Sequence, residues 1–301
     1  MTVSSPNMGR DLALLVLLAT MWGSAFVFIK LGVATVPPLT LAAARIVLAL
    51  VLMLAYLRLR RLRLPRGRVW LVFALLGLVG NVAPFVLISW GEIVIDSALA
   101  AILMAVGPLF TVLLAHAFTG DERLTPLKLL GVLIGLSGVV VLIGADALAG
   151  LGDNVAAQLA VTVGAFGFAG ANVLARRLPE MPPAVAGAAT LVAAAVLAVP
   201  LSLLVDQPWN LAPSAASLGA IAVLAVWSTA LAYLVFFRLV ASGGATFVSL
   251  NNYLIPLVGL AWGALALGEG IGDRQIAALA LILLGIFVTN DQLRRRLVRR
   301  D

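Results

Sequence analysis

Three residues with charged or titratable side chains, Lys30, Arg45 and His116, lie within or at the ends of long apolar stretches. A charge in apolar surroundings is costly, and by default it marks a functional site. Arg45 follows Pro38 by seven residues, about 10 Å along a helix. It therefore either satisfies helix-end carbonyls or binds a carboxylate of a ligand. Lys30 either extends its amine to the surface or has a charge role, and His116 is either a packed histidine or a proton relay.

Aromatic and amide side chains recur every four residues in several apolar stretches. Residues four apart share a helix face, and amides are costly in apolar surroundings, so these stripes should face a protein interior or a cavity. Ordinary helix packing explains each single stripe equally well. A pocket of aromatic and amide groups suits an amphipathic solute. With two residues near prolines, the candidate binding residues are Trp22, Phe26, Arg45, Asn81, Phe85, Ser89, Met104, Phe168, Asn172, Thr229, Tyr233, Phe237 and Asn252.

Several kinds of catalytic or coupling site are missing from the sequence. There is no cysteine, which removes disulfides, thiolate nucleophiles and cysteine metal sites. Lys30 follows Ile29 and Lys128 follows Leu127, so neither of the two lysines belongs to a phosphate-binding GxxxxGK(S/T) loop. No Asp or Glu lies in the middle of an apolar stretch, which disfavours proton coupling through a buried carboxylate. No catalytic, metal or cofactor site is predicted.

The elements that must position these residues are membrane-spanning helices. Of the 301 residues, 63% are hydrophobic and 11% are charged, whereas soluble domains are about half apolar and a quarter charged. A spanning helix needs about 20 apolar residues, so we predict an all-α integral membrane protein with ten spans. The spans fall near residues 12–31, 39–57, 69–90, 98–118, 127–145, 155–174, 184–204, 218–240, 245–267 and 275–293.

The positive charges indicate the orientation of these spans. With ten crossings, all of the 20 Lys and Arg residues except Lys30, Arg45 and Arg274 lie on the side of the termini. Basic residues favour the cytoplasmic side, so both termini are predicted to be cytoplasmic in a multi-pass protein of the cell inner membrane. The Arg-rich loop at 58–68 is interpreted as an orientation signal that contacts anionic lipid headgroups. The lipid bilayer, not nucleic acid, therefore accounts for the net charge of +7.

The two halves of the sequence resemble each other. Aligning Pro108 with Pro256, an offset of 148 (256 minus 108), also brings Phe85 onto Tyr233 and Glu122 within one position of Glu269. Residues 1–150 then form one repeat of five spans and residues 151–301 a second repeat with a basic tail. Because five is odd, the second repeat is inverted in the membrane. Inverted repeats around a central cavity are typical of secondary transporters.

The sequence resembles the drug/metabolite transporter superfamily, in particular its ten-helix EamA-type members. The resemblance lies in WGSAFVFIK at 22–30, Arg45, Pro108, GDERLT at 120–125, three glycines of the fifth span, and IPLVGLAWGALALGE at 255–269. It covers nearly the whole chain. The resemblance implies export of amino acids and related metabolites, and similar folds carry sugar phosphates, nucleotide sugars and drugs.

We therefore predict a secondary transporter that exports small organic metabolites, in particular neutral or aromatic amino acids, by alternating access. The main alternative is a carrier of anionic sugar phosphates or nucleotide sugars, in which Lys30 and Arg45 would bind phosphate. A passive channel is a further alternative, and the oligomeric state stays open. The last alternative is an intramembrane protease, because GLSG at 135–138 resembles the rhomboid serine motif. However, the only histidine, His116, precedes that serine, whereas the rhomboid catalytic histidine follows it.

Overall fold

The apolar stretches fold into helices joined by short connections. The computed structural model describes residues 8–95, 97–120, 122–143, 148, 151–255, 257–258 and 272–289, and their regular structure is helical throughout. The α-helices, numbered in chain order, are α1 Met8–Gly23, α2 Ala25–Val33, α3 Pro38–Leu59, α4 Val69–Gly77, α5 Ala83–Val94, α6 Ser97–Met104, α7 Gly107–Phe118, α8 Pro126–Ile143, α9 Val155–Ala175, α10 Pro183–Val205, α11 Ala215–Ala225, α12 Ala232–Ser249 and α13 Asp273–Thr289.

Many of these helices have the length and composition of membrane spans. Within the described ranges, seven segments are long and apolar enough to cross a bilayer: Gly9–Val33, Pro38–Leu59, Val69–Val94, Pro126–Ile143, Val155–Ala175, Pro183–Val205 and Ala215–Ser249. Two shorter apolar helices are Ile102–Phe118 and Ile276–Thr289. Large apolar side chains such as Leu59, Leu71 and Leu204 face outward, as expected for a surface in contact with lipid tails. The prediction of an all-α membrane protein is confirmed, and the ten spans stay a prediction.

Three of the predicted spans are not simple continuous helices. The span at 98–118 is interrupted, because α6 ends at Met104 and α7 begins at Gly107. The spans at 218–240 and 245–267 meet in one helical segment that changes course at Gly244, where φ is 82°, a value that favours glycine. The continuation of the second of these spans lies outside the described residues, together with Pro256 and Glu269.

The third span of each sequence half contains a π-helical segment. Leu78–Val82 joins α4 to α5, and Val226–Leu231 joins α11 to α12. The two segments begin 148 residues apart (226 minus 78), the offset that aligns the sequence halves. Pro84 explains the first segment, because its ring clashes with a carbonyl one turn earlier. Alanine stands at the matching position 232, so proline is not the cause in the second half.

The glycines of the fifth span serve helix packing. A Cβ built on Gly285 of α13 would lie 2.5 Å from the backbone nitrogen of Gly135 in α8, and one on Gly135 would lie 2.6 Å from the ring of Tyr253. Ser137 donates its hydroxyl to the carbonyl of Ile134 at 2.8 Å. Small residues that let helix backbones approach closely are a general feature of membrane helix packing, and they account for the GLSG segment without catalysis.

Candidate functional site

A cavity lies between helices of both sequence halves. Its volume is about 100 Å³, several times the space that one water molecule needs. It is smaller than the pockets of roughly 300 to 1,000 Å³ that hold drug-sized ligands. The lining consists mainly of aromatic and aliphatic side chains, with several amides and hydroxyls and one guanidinium. From the predicted set it contains Trp22, Phe26, Arg45, Asn81, Phe85, Met104, Phe168, Asn172, Tyr233, Phe237 and Asn252.

Two predicted binding residues are placed outside this lining. Ser89 is buried in α5, and its hydroxyl has no hydrogen-bond partner. Thr229 is fully buried behind Arg45, where its hydroxyl donates to the carbonyl of Leu224 at 2.8 Å. Four-residue spacing selects a helix face, but it does not tell where along that face the cavity ends.

Both residues with a possible charge role also lie outside the lining. The amine of Lys30 is at the exposed end of α2 and donates to the backbone carbonyl of Glu92 at 2.7 Å. The His116 side chain is exposed, and its Nδ1 accepts a hydrogen bond from the backbone amide of Leu124 at 3.3 Å. Neither side chain is part of the cavity wall in this conformation.

Aromatic rings from both sequence halves form one connected cluster at the cavity. Trp22 stacks on Phe168 with ring centroids 6.4 Å apart, and Phe168 meets Phe85 edge-on at 6.2 Å. Trp22 also lies 5.7 Å from Phe236. Such pairs stabilise by about 0.5 to 1.5 kcal/mol beyond burial. The cluster therefore provides a preformed apolar surface that joins the two halves.

Arg45 combines a structural and a cavity-facing role. It is only 4% exposed, its Nε donates to Thr229 Oγ1 at 2.6 Å, and its Nη2 donates to the carbonyl of Ser228 at 3.2 Å. Its guanidinium carbon lies 3.9 Å from the centre of the Phe85 ring. A guanidinium has five N–H groups, so these contacts leave donors of this lining residue for a ligand. The two alternatives from the sequence are therefore compatible.

Amide side chains connect the irregular parts of the helices around the cavity. Asn81 donates to the carbonyl of Leu76 at 3.3 Å and accepts a hydrogen bond from the hydroxyl of Tyr233 in the other half. Asn252 donates to the carbonyl of Met104 at 3.2 Å, beside the break between α6 and α7. These bonds satisfy polar groups that lipid cannot satisfy.

The sequence interpretation missed several polar and aromatic lining residues. Thr111 follows Gly107 by one helical turn, and Phe236 lies three residues after Tyr233; all four line the cavity. Residues three apart share a helix face as do residues four apart, so a search at both spacings would have found Phe236. Thr190 of α10 also lines the cavity.

A charged cluster near one end of the helices links the two sequence halves. The Glu122 carboxylate forms a salt bridge with Arg176 and accepts a hydrogen bond from the Thr246 hydroxyl. It also accepts from the backbone amides of Ala245 and Thr246, both at 2.9 Å. These amides start the helical turn after the break at Gly244, where a carboxylate is favoured by the positive end of the helix dipole.

A second carboxylate, that of Glu92, has contrasting surroundings. Glu92 lies in the last turn of α5, is 0% exposed, and neither carboxylate oxygen has a hydrogen-bond partner. The predicted span ended near residue 90, whereas the helix continues to Val94. Glu92 lies beyond the mid-span positions on which proton coupling was disfavoured, so the sequence prediction did not include this buried acid.

A helical membrane chain that encloses a cavity between its two halves has the architecture of a transporter. The model of the EamA-like transporter family matches the chain twice, at residues 11–144 and 155–291. The chain therefore belongs to this family, and its function is transport rather than catalysis.

Relatives of similar length support this classification. The chain is 30% identical over 271 residues to the uncharacterized inner membrane transporter YedA of Escherichia coli K12, covering 89% of this chain and 84% of YedA. It is 30% identical over 288 residues to a probable terminal-alkyne amino-acid exporter of Streptantibioticus cattleyicolor, covering 95% and 94% of the two chains. A solved crystal structure with 24% identity shares the fold with a TM-score of 0.76, covering 95% of this chain and 98% of the other.

Proposed function

We propose that this protein is a secondary transporter that exports neutral or aromatic amino acids by alternating access. The observation that carries the proposal is a cavity lined by aromatic rings and amides from both sequence halves, with the buried Arg45 at its wall. We place the protein in the cell inner membrane, with both termini cytoplasmic, as the distribution of positive charges predicts.

The proposal includes ten spans in two inverted repeats, residues 1–150 and 151–301. Two observations support it. The family model matches each half separately, and both halves carry a π-helical segment at the same offset. Rocking of such repeats against each other opens a midplane site to either side in turn.

The chemistry of the lining supports an amino acid as the substrate. The aromatic cluster suits an apolar side chain, the amides offer hydrogen bonds, and Arg45 offers charged donors to a carboxylate. The relative named as a probable terminal-alkyne amino-acid exporter points in the same direction. Pockets for drug-sized ligands have volumes of about 300 Å³ or more. The smaller cavity of this protein therefore fits a single amino acid better than a nucleotide sugar.

A carrier of sugar phosphates is the second candidate, and the same site disfavours it. Among the described lining residues, Arg45 is the only cation, while Lys30 lies outside. Arg is suited to bidentate binding of one carboxylate or phosphate, but a phosphate with two negative charges would retain an unneutralised charge in this apolar cavity.

Uptake by proteoliposomes tests the proposal. The purified protein is assayed with phenylalanine, a sugar phosphate and a cationic drug, each radiolabelled, and with counterflow as the readout. We expect saturable counterflow of phenylalanine and none of the sugar phosphate. Saturable counterflow of only the sugar phosphate would favour the second candidate, and steady conductance in planar bilayers would favour a channel.

A further inference from the structure

The buried acid Glu92 lies on the cavity-facing side of its helix. Asn81, Phe85 and Ile88 line the cavity. The steps from Asn81 to Phe85, from Phe85 to Ile88 and from Ile88 to Glu92 are four, three and four residues. Residues at these spacings lie on one helix face. One turn separates Glu92 from Ile88, about 6 Å along the axis. Glu92 therefore lies directly beyond the end of the cavity.

Within the described ranges, the elements that pack against α5 place one cation beside Glu92. The neighbours of α5 are α2, α3, α6, α9 and the π segment Leu78–Val82. From α2, the Lys30 amine reaches the Glu92 backbone carbonyl at 2.7 Å. From α3, Arg45 faces α5 at Phe85 instead. The sequences of α6, α9 and the π segment contain no charged or titratable residue, so Lys30 is the counter-ion that these described elements bring to Glu92.

An ionised carboxylate without hydrogen bonds is costly to bury, whereas a neutral acid is tolerated far better. The surroundings of Glu92 in this conformation fit the neutral acid. Loss of its proton would create a negative charge that the nearby Lys30 amine attracts. A charge change at a site shifts an equilibrium between conformations when the two states solvate that charge differently.

We propose that Glu92 is the proton-binding site that couples export to the proton gradient. A carboxylate oxygen accepts a proton from the outer solution, which forms the neutral acid, and the same O–H bond breaks when the site opens to the inner solution. The proton moves inward while the substrate moves outward, so no other reactant is needed. This inference rests on the proposed export of amino acids and identifies its coupling ion.

The test compares Glu92→Gln, Glu92→Asp and wild type in proteoliposomes with tritiated phenylalanine. Glutamine has nearly the same shape but cannot exchange a proton. In Glu92→Gln we expect accumulation driven by an imposed pH gradient to fall to the level of protein-free vesicles, while counterflow without a gradient persists. Glu92→Asp should retain accumulation. Glu180→Gln, at an exposed loop position, is the matched control and should behave as wild type.

A dye sensitive to pH inside the vesicles supplies a second readout, because phenylalanine should elicit proton movement in wild type and not in Glu92→Gln. Gradient-driven accumulation by Glu92→Gln at the wild-type level would overturn the assignment. So would wild-type counterflow without any effect of the pH gradient, or loss of counterflow together with accumulation in both Glu92 variants. Absence of phenylalanine counterflow in wild type would instead reject the proposed substrate class.

Discussion

Two glutamates in this protein have opposite environments. Glu122 is held by a salt bridge to Arg176, by the Thr246 hydroxyl and by backbone amides. Glu92 is more deeply buried and has no hydrogen bond to either carboxylate oxygen. A satisfied carboxylate between elements stabilises their arrangement, whereas an unsatisfied buried one is rare and calls for an explanation. We therefore assign Glu122 a structural role between the halves and Glu92 a role in proton exchange.

In the proposed topology, the two acids lie toward opposite sides of the membrane. A cysteine introduced at Asp153, in the connection predicted to be external, should be labelled by an impermeant maleimide added to intact cells. A cysteine at Gly120, two residues before Glu122, should not be labelled. The expected effect is all or none, and the native chain contributes no background because it lacks cysteine. External labelling at Gly120 would show that the orientation is opposite to the proposed one. The proposed direction of proton movement would then be wrong as well.

Replacement of Glu122 by Ala should lower the stability of the protein. The change removes the carboxylate that accepts hydrogen bonds from Arg176 and from the backbone amides after Gly244, so we expect a loss of about 1.5 to 3 kcal/mol. The measurement is thermal unfolding in detergent, with Glu180→Ala as a control at an exposed site. An unchanged melting temperature would contradict the structural role of Glu122.

Arg45 is partly satisfied, unlike either glutamate, because it has hydrogen-bond partners and also faces the cavity. If it binds the substrate carboxylate, Arg45→Gln should weaken binding of phenylalanine by about 1.5 to 3 kcal/mol. Binding of phenylalaninol, which lacks the carboxylate, should change little. Affinities and melting temperatures of purified wild type and variant provide the check. If both ligands bind more weakly to the same extent and the melting temperature falls, Arg45 stabilises the fold through Thr229 and Ser228 and does not bind the substrate carboxylate.

The neutral bond between Tyr233 and Asn81 crosses the two halves at the cavity. Tyr233→Phe keeps the ring but removes the hydroxyl donor, which should destabilise the protein by about 1 kcal/mol and reduce flux modestly. Tyr56→Phe is the matched control, because Tyr56 is 37% exposed on α3. Identical stability and flux in both variants would show that this bond does not contribute to the link between the halves.

Much of the fold and of the candidate site follows from local sequence patterns. Apolar stretches of sufficient length must satisfy their backbone groups as helices in lipid, which predicted the all-α membrane class. Helical spacing placed Asn81 and Phe85 on one face, and both line the cavity. These inferences succeed because they depend only on residues a few positions apart in the chain.

The partners of the charged groups were decided by tertiary structure alone. Thr229 lies four residues before Tyr233, a spacing that predicted a lining position. Arg45, 184 residues away in the chain, donates a hydrogen bond to Thr229, and its guanidinium separates Thr229 from the cavity. Glu92 and Lys30 are 62 residues apart, and Glu122 and Arg176 are 54 apart. Hydrogen-bond satisfaction depends on which helices pack together and in which register. Periodicity within one helix contains no information about either, so the contrast between the two glutamates emerges only in the folded chain.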